Sequence, residues 1–474
     1  MSKHSAVVIG SGPNGLAAAI VLAQAGLDVE VREAASVPGG AARTGELTLP
    51  GFLHDLGSAV HPMAASSPFF ASLPLDRFGL RWIWSPAALA HPFDDGTVVT
   101  LERDIRATAA QLGIDGPAYR RLYEPFIEEW PTLFREVFRP LSIPRNPLLM
   151  ARFGVRALRS CYRLTRRLFL HDRARALFAG SAAHSALKLE AALSAAFGLI
   201  IGGAGHAVGW PIAERGSQSI TRALAAYFES LGGRILTNAH VHRLEDAGSP
   251  DLMLCDVTPR QFLALAAHRL KPSFRKLLAR YRYGPGAFKM DWALRQPIPW
   301  AAKECLRAAT VHLGGTIEEI AVGERDAWEG RPPHRPFVLL AQPSLFDPTR
   351  APEGSHTVWA YCHVPNGWRG SAVNEIENQI ERFAPGFREC ILARAVHNTE
   401  AMQRWNENLV GGDVNAGALT PDQFWLRPTW RQYGTPLRGV YLCSASTPPG
   451  GSVHGMCGYW AAKRALASLI AQRD

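Results

Sequence analysis

The chain has 474 residues, 47% hydrophobic and 19% charged, which excludes wholesale disorder and exceeds what one compact core usually holds, so two domains are expected. The formal charge of +10 reads either as an arginine-rich composition or as attraction to an anionic surface; no nucleic-acid motif accompanies it, so no nucleic-acid partner is expected. Seven scattered cysteines without a CxxC pair point away from a structural metal and toward a reduced, cytoplasmic protein.

Residues 6–9 (AVVI) predict a short buried strand. The glycine run Gly10-Ser11-Gly12-Pro13-Asn14-Gly15 then fits GxGxxG, residues 16–24 predict a helix, residues 27–32 a second strand, and Glu33 stands at its end. Each part suits a dinucleotide. Gly10 allows the tight turn, Gly12 lets a pyrophosphate approach the backbone, and Gly15 allows close packing of helix and strand. The helix start offers free N–H groups to phosphate. Glu33 can accept hydrogen bonds from ribose hydroxyls and would repel a 2′-phosphate. The same glycines and Pro13 argue against a signal or membrane helix over 7–31, and no other apolar run of about 18 residues predicts a membrane span.

Residues 76–205 carry no nucleotide signature and read as helical. Arg152, Arg156, Arg159, Arg163 and Arg166 recur at spacings of four and three, which predicts one stripe along a single helix. That stripe is either a solvated face or a contact for membrane phosphates or an acidic partner. The stretch IIGGAGHAVGWP (200–211) lacks the third glycine of a second fingerprint and reads as a loop. Ile220, Leu224, Tyr227, Phe228 and Leu231 have helical spacing, Gly232-Gly233 ends that helix, and residues 234–244 read as strands.

In GPGAFKMDWALRQPIPW (284–300), Phe288, Met290, Trp292 and Leu294 alternate with Lys289 and Asp291, which predicts a two-faced strand. His54, His61, His184 and His206 suit proton transfer or a structural role. The small-residue segment 408–418 allows close approach of a ligand, and the aromatics after it could line a pocket. Residues 440–443 predict a last buried strand. A Pro-Pro-Gly-Gly turn and a helix reaching Ile470 follow.

The continuation Glu33, Gly39, Gly40, Arg43, with HDLGSAVHP (54–62) after it, resembles the flavoprotein superfamily of amine oxidases, phytoene desaturases and retinol saturases. The phytoene desaturase and retinol saturase-like group is the nearest in appearance. The resemblance implies an α/β fold with a discontinuous Rossmann-type FAD domain (1–75, 206–256, 415–474) and a substrate domain of mixed sheet and helices (76–205, 257–414). It implies FAD held by Gly10, Gly12, Pro13, Asn14, Gly15, Glu33, Gly40, Arg43 and Ser58, with Asp55 and Gly57 near the flavin and Val241 at the adenine. Ser446 stands where many relatives have an acid that meets the ribityl chain. Gly455 and Met456 would offer N–H groups to the flavin ring.

Lys289 would be the catalytic candidate, holding a water at flavin N5; its other reading is a surface lysine on an edge strand. The activity implied is hydride transfer in desaturation, saturation or isomerisation of C–C bonds in an apolar, isoprenoid or polyketide substrate. Alternatives are an amine oxidase, with Trp425, Trp430 and Tyr433 as its aromatic cage, and a flavoprotein that binds without turnover. Peripheral membrane contact through residues 152–166 would suit an apolar substrate.

Overall fold

A computed structural model describes residues 4–471. Two sheets organise it. In the first, Ser5–Ile9 pairs in parallel with Asp28–Arg32 on one side and Leu252–Cys255 on the other; Arg234–Leu236 and Val440–Leu442 complete the edges, all parallel. Ala6 and Val8 face one apolar cluster while Val7 and Ile9 face another. Burial on both faces is what a parallel strand covered by helices requires.

Helix Pro13–Gln24 follows the glycine turn and meets helix Met456–Ile470 backbone to backbone. A Cβ on Gly458 would stand 1.8 Å from the Asn14 carbonyl, so no larger residue fits at that crossing.

The second sheet has seven strands, in the order Ile391–His397, Gly286–Leu294, His356–Val364, Val338–Ala341, Thr310–Leu313, Ala87–Pro92, Val98–Glu102. All neighbours are antiparallel except Thr310–Leu313 with Ala87–Pro92. Phe288, Met290, Trp292 and Leu294 point into a core shared with Ile376 and Ile380 of helix Val373–Phe383. Trp292 alone is expected to contribute about 3–5 kcal/mol, the usual cost of truncating a buried tryptophan. Lys289 and Asp291 occupy the other face. Their strand lies between two others, and Lys289 is 2% exposed, which corrects the reading of a surface lysine on an edge strand.

Three segments depart from the sequence reading. Residues 200–207 are not a loop but the second half of helix Ser194–Ala207. Its glycines are sites of close packing: a Cβ at Gly202 would meet the Tyr123 hydroxyl at 2.4 Å, and one at Gly203 the Trp130 ring at 2.9 Å. Arg152 and Arg156 lie on helix Pro147–Ala157 and Arg163 and Arg166 on helix Cys161–Leu168, with Arg159 in the break between them. Ser160 breaks the stripe by capping the second helix, its hydroxyl accepting the Arg163 N–H at 3.2 Å. The expected strands over 234–244 stop at Leu236. There the Asn238 N–H donates to the Ala35 carbonyl (3.0 Å) and the Ala239 N–H to the Glu33 carbonyl (2.8 Å), and Asn238 takes φ +52°. Among the described residues, no helix is long and apolar enough to cross a membrane.

Candidate functional site

The carboxyl ends of the parallel strands and the Lys289 face of the seven-stranded sheet enclose one cavity of about 870 Å³. Ile9, Glu33, Asp256 and Ser444 mark the strand ends on its wall, where open α/β sheets place ligands. Gly10, Gly12, Pro13, Asn14, Glu33, Gly40, Arg43, Ser58, Val241 and Lys289 all line it. The sites read from the fingerprint and from the distant strand therefore share one space.

At the glycine end, Glu33 accepts the Ser11 N–H (2.9 Å) and O–H (2.5 Å) and the Ala35 N–H (2.9 Å). Asp256, absent from the sequence reading, caps the helix from the neighbouring strand: its Oδ2 accepts the Gly15 N–H at 2.9 Å. A Cβ on Gly12 would lie 2.7 Å from that oxygen. Burial lifts the Asp256 carboxyl to about 7; the Gly15 N–H opposes this and the Glu33 charge adds to it. The signal for Asp256 was its place directly after the apolar run LMLC, at the end of a parallel strand. Arg43 donates from Nε to the Gly40 carbonyl (3.0 Å) and lies over the Trp405 ring at 5.1 Å.

Gly15, Ser446, Gly455 and Met456 sit behind the wall. A Cβ on Gly15 would meet the Gly10 carbonyl oxygen at 2.1 Å, so this glycine serves the turn. Ser446 is fully buried, 2.6 Å from the Ser444 hydroxyl. Gly455 has φ +70° and packs on Phe70 and Ala17. The Met456 N–H, expected to face a ring, donates to His454 Nδ1 at 2.9 Å. The wall here is formed by Ser444, Ala445 and Gly451 to Val453 instead.

The other end of the cavity is a sheet face. Trp359, Tyr361, Leu339, Ala341 and Ala287 give it an apolar floor, and Phe197 and Ile201 of the glycine-rich helix join them. Lys289 is ion-paired with Asp291, and both are buried. Burial pushes the lysine down, Asp291 opposing; it pushes Asp291 up to about 6, Lys289 opposing. His54 Nδ1 lies 3.7 Å from Asp291 and His397 Nδ1 3.8 Å from it. Burial first, then Lys289, holds His54 at about 3 and His397 at about 4, so both rings are neutral.

Beside them Arg350, fully buried, donates to Asp55 at 2.7 Å and to the Leu53 carbonyl at 3.1 Å. Burial pushes Asp55 up, but the Arg350 guanidinium and the Ser217 N–H outweigh it and hold the carboxyl below the usual range. Neither Arg350 nor the Asp55–Arg350 bridge was legible from spacing.

His61 is buried with neither ring nitrogen bonded. His206 is structural: it bridges the Tyr119 hydroxyl (2.9 Å) and the Glu102 carbonyl (2.8 Å). His184 lines the cavity. Residues 408, 409 and 414–416 also line it; Asp413 shapes that turn by accepting the N–H groups of Gly284, Asn415 and Gly417. The expected aromatic cage does not form. Trp425 and Trp430 are exposed, and Tyr433 donates its hydroxyl to the Pro448 carbonyl, 2.9 Å away.

Residues 8–73 match the family described as NAD(P)-binding Rossmann-like domain. Over nearly its whole length the chain is similar to the rat pyridine nucleotide-disulfide oxidoreductase domain-containing protein 2, at 24% identity (96% of this chain, 92% of the relative). It is also similar to the neurosporene-forming phytoene desaturase of Rhodobacter capsulatus, at 25% identity (97% and 94%). Its fold matches a crystal structure of an oxidoreductase from Methanosarcina mazei (TM-score 0.64, 17% identity, 98% of this chain and 100% of that one). It matches wild-type putrescine oxidase as well (TM-score 0.62, 15% identity, 99% of both chains).

The chain carries a Rossmann-type dinucleotide-binding domain and is similar over nearly its whole length to proteins named as oxidoreductases. The dinucleotide-binding end is in recognisable form. The bare backbone of Gly10 and Gly12, the crowded contact where a Cβ on Gly40 would come within 2.8 Å of Gly12 Cα, and the unpartnered buried Asn14 Oδ1 on the cavity wall all fit a bound dinucleotide.

Proposed function

We propose that the chain binds FAD along the cavity from Glu33 to Lys289 and oxidises, reduces or isomerises a C–C bond of an apolar substrate. The observation that carries this reading is the continuity of the cavity: the glycine loop opens into the same space as an apolar sheet face bearing a buried lysine. FAD, when bound, supplies the hydride acceptor or donor. Glu33 would hold the adenine ribose, Gly10 to Asn14 the pyrophosphate, and Arg43 with Ser58 the approach to the ring.

The chain's own contribution lies at the ring end. Lys289 would orient a water and favour negative charge beside it. Asp291 fixes the ammonium in place, and neutral His54 and His397 flank the pair, their Nδ1 atoms 3.7 and 3.8 Å from Asp291. Trp359, Tyr361 and Leu339 would orient the substrate and exclude water. The absence of a cage from Trp425, Trp430 and Tyr433, the first two exposed, favours the apolar substrate over an amine.

The test is anaerobic mixing of the flavin-loaded protein with carotenoids, retinoids, fatty acids and amines. Bleaching of the flavin by an apolar substrate is expected. Bleaching by amines alone overturns the reading in favour of an amine oxidase, and tight FAD with no bleaching by any of them favours a binding role.

The substrate's solubility bears on the arginine surface. Leu148, Arg152, Val155 and Arg159 share one face of helix Pro147–Ala157 and its end, and Leu148 and Val155 are 64% and 61% exposed, with Ile143 at 89% just before them. Apolar side chains interleaved with arginines suit the interface of an anionic membrane. Co-sedimentation with phosphatidylserine vesicles at low salt is expected; no binding there removes the membrane contact.

A further inference from the structure

The inner end of the cavity holds two histidines that no step above uses. His184 follows helix Asp172–Ala183 and lines the cavity; His312, on strand Thr310–Leu313, is fully buried behind it. Their Nε2 atoms are 3.1 Å apart. The Trp210 ring packs on both, 5.6 Å from His184 and 5.7 Å from His312. Across the sheet, His312 is opposite Leu339, Leu339 opposite Tyr361, and Tyr361 opposite Lys289. The histidine pair therefore stands three strand spacings, about 14 Å, from the lysine, with Leu339 and Tyr361 flooring the space between.

Two neutral imidazoles in contact through Nε2 hold one proton between them. Both are kept neutral: burial, with His363 adding, holds His184 at about 3, and burial, with His184 and His91 adding, holds His312 well below the usual imidazole range. His312 Nδ1 has no hydrogen-bond partner, and a Cβ on Gly180 would stand 2.6 Å from it. It faces a bare glycine Cα. An N–H in that position would be orphaned, and buried orphan N–H groups are rarer than unsatisfied acceptors. The His312 proton therefore belongs on Nε2, donated to His184. His184 accepts it and carries its own proton on Nδ1, the nitrogen not engaged by His312, in a side chain that lines the cavity. His363, the next inward residue after Tyr361, is committed elsewhere: its Nδ1 donates to the Glu324 carboxylate at 2.9 Å.

We propose that His184, set in its tautomer by His312, is a specificity residue that donates a hydrogen bond to an acceptor oxygen at the far end of the substrate. The substrate class is then an apolar chain with a terminal carbonyl or hydroxyl, whose reacting bond lies toward Lys289, and not a pure hydrocarbon. This inference rests on the apolar-substrate reading of the cavity.

The test is titration calorimetry of the flavin-loaded protein with farnesal, which bears a terminal aldehyde, and with the hydrocarbon farnesene. His184→Leu is expected to weaken farnesal about tenfold, the scale of one buried hydrogen bond, and to leave farnesene within about twofold. His184→Gln, which keeps an N–H donor, is expected to hold farnesal within about threefold of the parent. Equal loss of both ligands in His184→Leu, no loss of farnesal, or no binding of either ligand to the parent protein overturns the inference. The two readings fail separately. Head-group discrimination that behaves as stated, with no substrate bleaching the flavin, overturns the redox reading alone. Bleaching by apolar substrates, with His184→Leu indifferent to the aldehyde, overturns the recognition alone.

Discussion

In the parallel sheet, the stretch from Gly10 to Glu33 supplies turn, helix, strand and acid in consecutive order, and the fold has only to bend them into place. The row His397, Lys289, Tyr361, Leu339 and His312 takes one residue from each of five strands. Nothing in the local chain around any of them announces the others; strand register alone brings them together. The difference teaches that binding backbone is written locally and tolerates little change, whereas polar groups on a sheet face are placed by the whole domain and can be exchanged one at a time.

Substitutions can break or sharpen that contrast. The largest effect is expected from Gly15→Ala, because the new Cβ would lie 2.1 Å from a backbone oxygen that cannot move alone. The variant is expected to purify without flavin absorbance; a yellow protein with parental affinity for FAD would break the claim that the loop is intolerant.

Arg350→Met comes next. It strands the buried Asp55 carboxylate, and a loss of about 3–5 kcal/mol in denaturant unfolding is expected. In the parent, the depressed Asp55 carboxyl contributes stability above its unfolded pKa of about 3.9 and loses that contribution as pH falls through the lower folded value. The parent's extra stability over the variant should therefore fade in acid.

Lys289→Met, which leaves buried Asp291 without its cation, should lower stability and, in the protein that folds, slow flavin reduction or reoxidation by about a hundredfold in stopped flow, about 2.7 kcal/mol of barrier. Unchanged rates would separate the lysine from the chemistry.

Asp256→Asn is the mildest. Burial raises the folded carboxyl above its unfolded value, so the parent loses stability as pH rises from about 4 to about 7 and stays lower above that. Asparagine still accepts the Gly15 N–H. The variant is expected to gain stability over the parent at pH 8 and almost none at pH 4; equal gains at both would argue against a titrating Asp256.

The same contrast explains what the sequence could tell. The fingerprint, the two-faced strand at 286–294 and the last strand and helix were legible because each rests on a period or a turn within one short window. The helix over 200–207 was missed because its glycines serve packing against Tyr123 and Trp130, partners more than 60 residues away in the chain. The arginine stripe had the right period, but a serine cap inside it outranked the period. Asp55 was visible beside Gly57, yet its partner Arg350 lies 295 residues further on. The His184–His312 pair spans 128 residues, and no spacing rule reaches that far.

The crossing of helices Pro13–Gln24 and Met456–Ile470 bears on the order of assembly during synthesis. The strand Leu252–Cys255 has its second neighbour only when residues 440–442 arrive, and the first helix has its closest partner only at Gly458. The glycine loop leaves the ribosome well before its supporting wall. Helix Gln218–Ser230 covers part of that first helix earlier, and the face toward Gly458 stays without its native cover until the last helix arrives.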